Sequence, residues 1–165
     1  MRHVATGNRA NRPTWALYRR AVTGSGFSHT LGRIEPVARD DVPALSRDVP
    51  LEIDDIQAAW PAFEEAFDSL RGRHMYGLVY NREQIYRLST ARLDRDADNP
   101  LGLAETVIPG GRYLRLRLLG EPPEIYSQIA DAFEALFEHA DHDPARPLIE
   151  YYRRAGQIDC LVPTG

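Results

Sequence analysis

The chain contains no lysine: all 20 of its basic residues are arginine. Schiff-base chemistry and a phosphate-loop lysine are thereby excluded. Cysteine is almost as scarce. Cys160 stands alone, so no disulfide can form within these residues, and nothing in the cysteine pattern points to an oxidising compartment. No apolar run approaches the length of a membrane span, and the arginine-rich start lacks the apolar stretch of a secretory signal. The expectation is a cytoplasmic protein without membrane association. Acidic residues are missing from the first 33 positions, which carry six arginines and leave −10 on the rest of a chain whose total is −4. Residues 1–33 show no sustained period and are too short for a helix-turn-helix domain, so no direct DNA contact is expected. They read as a basic N-terminal extension through which a protein partner could dock.

What is present suits one folded domain. The 165 residues are 43% hydrophobic and 27% charged, enough to bury a core. From Ile34 the pattern becomes regular. Residues 34–47 suggest a strand made edge-like by Pro36 and Pro43. Ile53, Ile56, Trp60, Phe63, Phe67 and Leu70 then fall at spacings of three and four, one stripe of an amphipathic helix that Pro61 interrupts and Gly72 stops. Residues 75–80 and 84–92 predict two strands around a polar turn. The same order follows again. Residues 103–108 and 112–118 are extended and broken at Pro109-Gly110-Gly111. A helix begins at Pro122-Pro123 with the stripe Ile125, Ile129, Phe133, Leu136 and Phe137, and residues 147–152 and 157–163 form a hairpin.

The two halves are related. Ala62-Phe63-Glu64-Glu65-Ala66-Phe67 aligns with Ala132-Phe133-Glu134-Ala135-Leu136-Phe137 at an offset of 70, and Gln84-Ile85 with Gln157-Ile158 at 73. The reading is an α+β fold of duplicated strand-helix-strand-strand units, about 34–93 and 103–163, with pseudo-two-fold symmetry. It expects an antiparallel sheet with two helices on one face and a ligand cleft on the other. On this alignment Arg47 matches Arg117, Tyr80 matches Tyr152, and Leu78 matches Glu150.

Glu150 is the candidate site. Strand side chains alternate faces, so it shares one side with Leu148, Tyr152 and Arg154, and a carboxylate among apolar and aromatic groups needs a partner or a reason. Either it anchors a ligand cation stacked between tyrosines, or Arg115, Arg117 or Arg154 pairs with it and ties the sheet together. The strand pattern alone does not choose. Tyr76, Tyr80, Tyr113, Tyr126 and Tyr152 are candidate cleft walls, although strands favour tyrosine in any case. Trp60, on the helix stripe, reads as core, and Cys160 as a buried, inert thiol. His139 and His142 with Asp141 and Asp143 form the one metal-like cluster. The helix dipole already accounts for a histidine there, so no metal and no cofactor is expected.

Ile108-Pro109-Gly110-Gly111-Arg112-Tyr113, then Gly120, an aromatic-rich helix, Pro147-Leu148-Ile149-Glu150-Tyr151-Tyr152 and a terminal Leu161-Val162-Pro163 resemble the GyrI-like family. These are the effector-binding domains of certain bacterial transcription activators and their stand-alone relatives. The resemblance spans roughly residues 34–165. It implies a stand-alone binding protein for amphipathic, cationic and aromatic small molecules, with the family's central carboxylate at Glu150 and its following tyrosine at Tyr152. Two alternatives stay open. Some stand-alone members hydrolyse reactive cyclopropane-containing compounds, in which case Glu150 would be the general base on water. The third is a protein-interaction role such as inhibition of DNA gyrase.

Overall fold

The computed structural model describes residues 31–154 and 156–165. Of the basic extension expected over 1–33, residues 1–30 lie outside the described residues. Eight strands and two helices follow in the order β1 (Ile34–Arg39), β2 (Val42–Pro50), α1 (Ile53–Glu65), β3 (Met75–Tyr80), β4 (Ile85–Ala91), β5 (Ala104–Ile108), β6 (Gly111–Leu119), α2 (Ile129–His139), β7 (Leu148–Arg154) and β8 (Gln157–Pro163).

All eight strands form one antiparallel sheet in the order β1-β6-β8-β7-β3-β4-β2-β5. The order reads the same from either end when β1–β4 and β5–β8 are exchanged, so the duplication and its pseudo-two-fold are real. The axis runs between β3 and β7, where Gly77 lies across from Glu150 and Leu78 from Ile149. Each unit has placed its first strand on the other unit's edge: β1 pairs with β6, and β5 with β2.

That exchange dictates the curvature. β1 and β2 stand near opposite ends of the sheet yet are joined by Asp40 and Asp41 alone, a link that spans only about 10 Å fully extended. The ends must therefore converge, and the two links cross. A Cβ on Gly110 would sit 2.5 Å from the Arg39 carbonyl oxygen and 2.7 Å from the Asp41 nitrogen, so only glycine lets the backbones pass. The Gly110 N–H donates to Asp41 Oδ1 at 2.6 Å.

Both helices pack on one face of the sheet. Ile56 and Phe63 of α1 and Ile129, Ala132, Phe133 and Leu136 of α2 join Leu45, Tyr86, Leu88, Leu116, Leu118, Leu148, Ile158, Cys160 and Val162 in one core. The opposite face, inside the curl, holds a smaller cluster of Tyr76, Leu78, Ile108, Tyr113, Ile149 and Leu161. The expected helices are shortened. α1 ends at Glu65, leaving Leu70 46% exposed, and its Asp54 and Asp55 lie in the first turn, where the dipole favours acids. The run after Pro122-Pro123 is a 3₁₀ turn (Glu124–Gln128) before α2 begins. Residues 34–47, expected as one strand, divide at Asp40-Asp41 into two.

Candidate functional site

Glu150 is fully buried, on the helix side of β7. Tyr86 Oη and Tyr152 Oη each donate to Glu150 Oε2 at 2.7 Å. Trp60 Nε1 donates in turn to Tyr86 Oη at 3.3 Å. The result is a directed chain, indole to phenol to carboxylate, of the kind that buried carboxylates require. The buried Tyr86 hydroxyl is held well above its ordinary pKa, first by desolvation and then by the Glu150 charge. Cys160, opposite Glu150 on β8, is pushed up by burial and by the same carboxylate, and stays a thiol.

Gly77 makes this arrangement sterically open. It faces Glu150 across the β3–β7 pair, and a Cβ there would overlap the Tyr86 hydroxyl and come within 2.8 Å of Glu150 Oε2. A glycine inside a strand marks a close approach of this kind.

Above this cluster, between α1 and the 3₁₀ turn leading to α2, lies a cleft of about 670 Å³. Its walls include Trp60 and Glu64 of α1, Tyr126 of the turn, and Met75, Tyr152 and Ile158 of the sheet. The Trp60 and Tyr152 rings meet edge-on at 5.3 Å, and Tyr126 approaches Tyr152 at 6.4 Å. Glu150 does not itself line the cleft. Tyr152 does, and its hydroxyl bonds to the carboxylate beneath, so the acid lies one aromatic layer under the floor.

The cleft is on the helix side, not on the sheet face opposite the helices as the sequence reading expected. The curled sheet fills its other face with its own side chains. Tyr126 and Tyr152 do stand with Glu150. Tyr76, Tyr80 and Tyr113 point into the other face and do not share its cleft. Arg39 lies over Tyr76 at 5.6 Å, Arg87 over Tyr80 at 4.8 Å and Arg146 over Tyr113 at 4.9 Å. Burial and the nearby Tyr151 push the Tyr76 phenol up to about 12 despite Arg39. Tyr113 also donates to the Pro109 carbonyl at 2.7 Å, while Arg146 donates to the carbonyls of Gly110, Arg112 and Thr164. This pair staples the crossing of the two links.

Arg115 and Arg117 lie on that other face too. Arg115 pairs with Glu35 at 3.0 Å and Arg117 grips Asp159 through two bonds of 2.7 and 3.1 Å. Arg154 donates to Gln157 Oε1 at 3.1 Å. Two residues that the sequence reading missed complete the site, Tyr86 and Gly77, and Trp60 lines the cleft instead of lying wholly in the core. Among the described residues no cluster of histidine, cysteine and carboxylate groups could hold a metal, and no helix is long and apolar enough to cross a membrane.

No protein-family model and no curated protein matches this sequence. Solved structures do match in fold. An integron cassette protein from the mobile metagenome of Vibrio cholerae superimposes with a TM-score of 0.62 at 13% identity, over 82% of this chain and 97% of its own. SAV2435 bound to tetraphenylphosphonium gives 0.58 at 9% identity, over 81% and 94%. The EcmrR C-terminal domain gives 0.58 at 12% identity, over 79% and 96%. The chain thus shares its fold with these three proteins, although the sequences have little in common.

Proposed function

We propose that this chain binds amphipathic aromatic cations in the cleft between α1 and the 3₁₀ turn, with Glu150 as the electrostatic anchor. The observation that carries the reading is a fully buried carboxylate placed directly beneath an aromatic cleft and joined to its floor by the Tyr152 hydroxyl. A flat apolar cation gains there by ring contact with Trp60, Tyr126 and Tyr152 and by attraction to the charge below. Two tyrosine hydroxyls donating to that carboxylate hold it in place beneath the floor. Aromatic walls accept many flat molecules, so broad specificity follows. The tetraphenylphosphonium bound by SAV2435, a protein of the same fold, is a ligand of this class. Hydrolysis would require Glu150 to activate a water in the cleft, and the carboxylate lies below the floor, which favours binding over turnover.

The test is calorimetric titration of tetraphenylphosphonium, with neutral triphenylphosphine oxide as the control. Glu150→Gln is expected to cost the cation about tenfold or more in affinity, the loss of a charge-assisted contact, and to leave the neutral compound within about twofold. Equal cation affinity in the folded variant would sink the assignment.

A further inference from the structure

Glu64 lies four residues after Trp60 on α1, so the two side chains share one helix face, and both line the cleft. Its setting differs from that of every other charged group on the cleft wall. The Arg73 guanidinium is gripped by Asp96 through bonds of 2.8 and 2.6 Å and lies over the Phe67 ring. Arg153 pairs with Asp159 at 3.5 Å, and Arg154 donates to Gln157. Among the described residues nothing donates a hydrogen bond or an ion pair to the Glu64 carboxylate, although burial against the cleft already disfavours its charged form. A carboxylate exposed on the wall of a cleft, with no side-chain partner among the described residues, is a group that a ligand can meet. It also sits at the solvent side of the cleft, whereas Glu150 is fully buried below the floor.

We propose that Glu64 is a second anionic contact at the mouth of this cleft, so that the site selects amphiphiles carrying two cationic centres on an apolar spacer over singly charged ones. This rests on the cation-binding reading above and deepens it. One cation lies over Tyr152 and Glu150, the apolar spacer runs along Trp60 and Met75, and the second cation meets Glu64. A spacer of several methylenes or one aromatic unit suits a cleft of about 670 Å³.

The experiment compares three probes built on one quaternary quinolinium: a singly charged alkyl quinolinium, a bis-quinolinium joined by an alkyl chain, and an alkyl quinolinium ending in a carboxylate. Titration of the full chain is expected to rank the bis-cation about five- to tenfold above the mono-cation, after correction for its two equivalent ends, with the zwitterion weakest. In Glu64→Gln the bis-to-mono ratio should fall to about one. In Glu150→Gln the bis-cation and the mono-cation should both weaken. Equal wild-type affinities for those two probes, a ratio unchanged in Glu64→Gln, or a zwitterion that outranks the bis-cation overturns this inference alone. No binding of any probe by the wild-type protein overturns the cation-binding reading as well.

Discussion

The two faces of the sheet are built from the same aromatic residue and treat it in opposite ways. On the face inside the curl, each tyrosine meets a cation of the protein itself: Arg39 stands over Tyr76 and Tyr151, Arg87 over Tyr80, Arg146 over Tyr113 and Arg153 over Tyr151. Tyr76 and Tyr151 also stack on each other at 4.4 Å, nearly parallel. These rings are already satisfied as cation–π partners. On the helix face, Tyr86 and Tyr152 converge on a carboxylate, and Trp60 and Tyr126 border an open cleft. A ring that has received its cation from within the fold is a packing element; rings grouped around a buried carboxylate beside a cleft are, on the proposed reading, where a cation from outside would bind. Counting tyrosines cannot distinguish the two; the sign of the charge beside them can.

The largest effect should come from Gly77→Ala. The new methyl would overlap the Tyr86 hydroxyl and crowd Glu150, and overpacking of this kind costs about 1–3 kcal/mol or more. That exceeds the few tenths to ~1 kcal/mol which replacing a glycine can return through the unfolded chain. A lower urea midpoint together with lost cation affinity is the expected result, whereas a stabilised variant would show that the cluster has slack. Next in size is a matched pair of hydroxyl deletions, one on each face. Tyr86→Phe removes a buried donor to Glu150 and strands the Trp60 N–H, at a cost of about 1–3 kcal/mol. Tyr76→Phe loses a partly buried contact of 3.3 Å with Arg39, worth less than about 1 kcal/mol. Cation affinity should fall in the first variant and hold in the second. An equal fall in both would mean that the faces act as one site.

Much of this architecture was legible from pattern, because period-two and period-3.6 apolar spacing report directly on burial. The element order came from that signal, and the duplication from the short Ala-Phe-Glu segment that both halves carry. The faces of the first unit did not. An alignment matching Leu78 to Glu150 and Tyr80 to Tyr152 uses an offset of 72, but the β3–β7 pairing sums to an odd number, so an even offset moves a residue to the opposite face. Arg47 and Arg117 were matched at an even offset as well, and they too face opposite ways: Arg47 stands over Phe63 of α1 and Arg117 grips Asp159 inside the curl. Weak identity fixed by loops and by the irregularity between Tyr152 and Arg154 cannot hold a register to one residue. One signal for the true register was present: a glycine in the middle of Met75–Tyr80, flanked by large side chains, marks where another group must come close. The cleft's position was not readable at all. It depends on the exchange of β1 and β5 between the units, and no local pattern distinguishes an exchanged edge strand from an ordinary one.

The smallest expected effect carries the comparison from rings to carboxylates. Asp96 accepts two bonds from Arg73 and one from the Leu93 N–H, and these hold its carboxyl below the ordinary range. Glu64 is raised by burial. An acid lowered on folding contributes stability above its unfolded pKa and loses it as pH falls through the folded value; an acid raised on folding behaves in the opposite sense, favouring the fold while protonated and losing that contribution as pH rises through its folded pKa. Asp96→Asn should therefore lower the melting temperature at neutral pH, with the difference shrinking towards acid. Glu64→Gln, at an exposed position, should raise it slightly through a stability gain within about 0.5 kcal/mol, which appears as pH climbs through the raised Glu64 pKa and is absent well below the ordinary glutamate range. Melting curves of both variants across that pH span decide the matter. If Glu64→Gln is destabilising at neutral pH, then Glu64 is satisfied within the protein, and the cleft has one anion to offer a ligand instead of two.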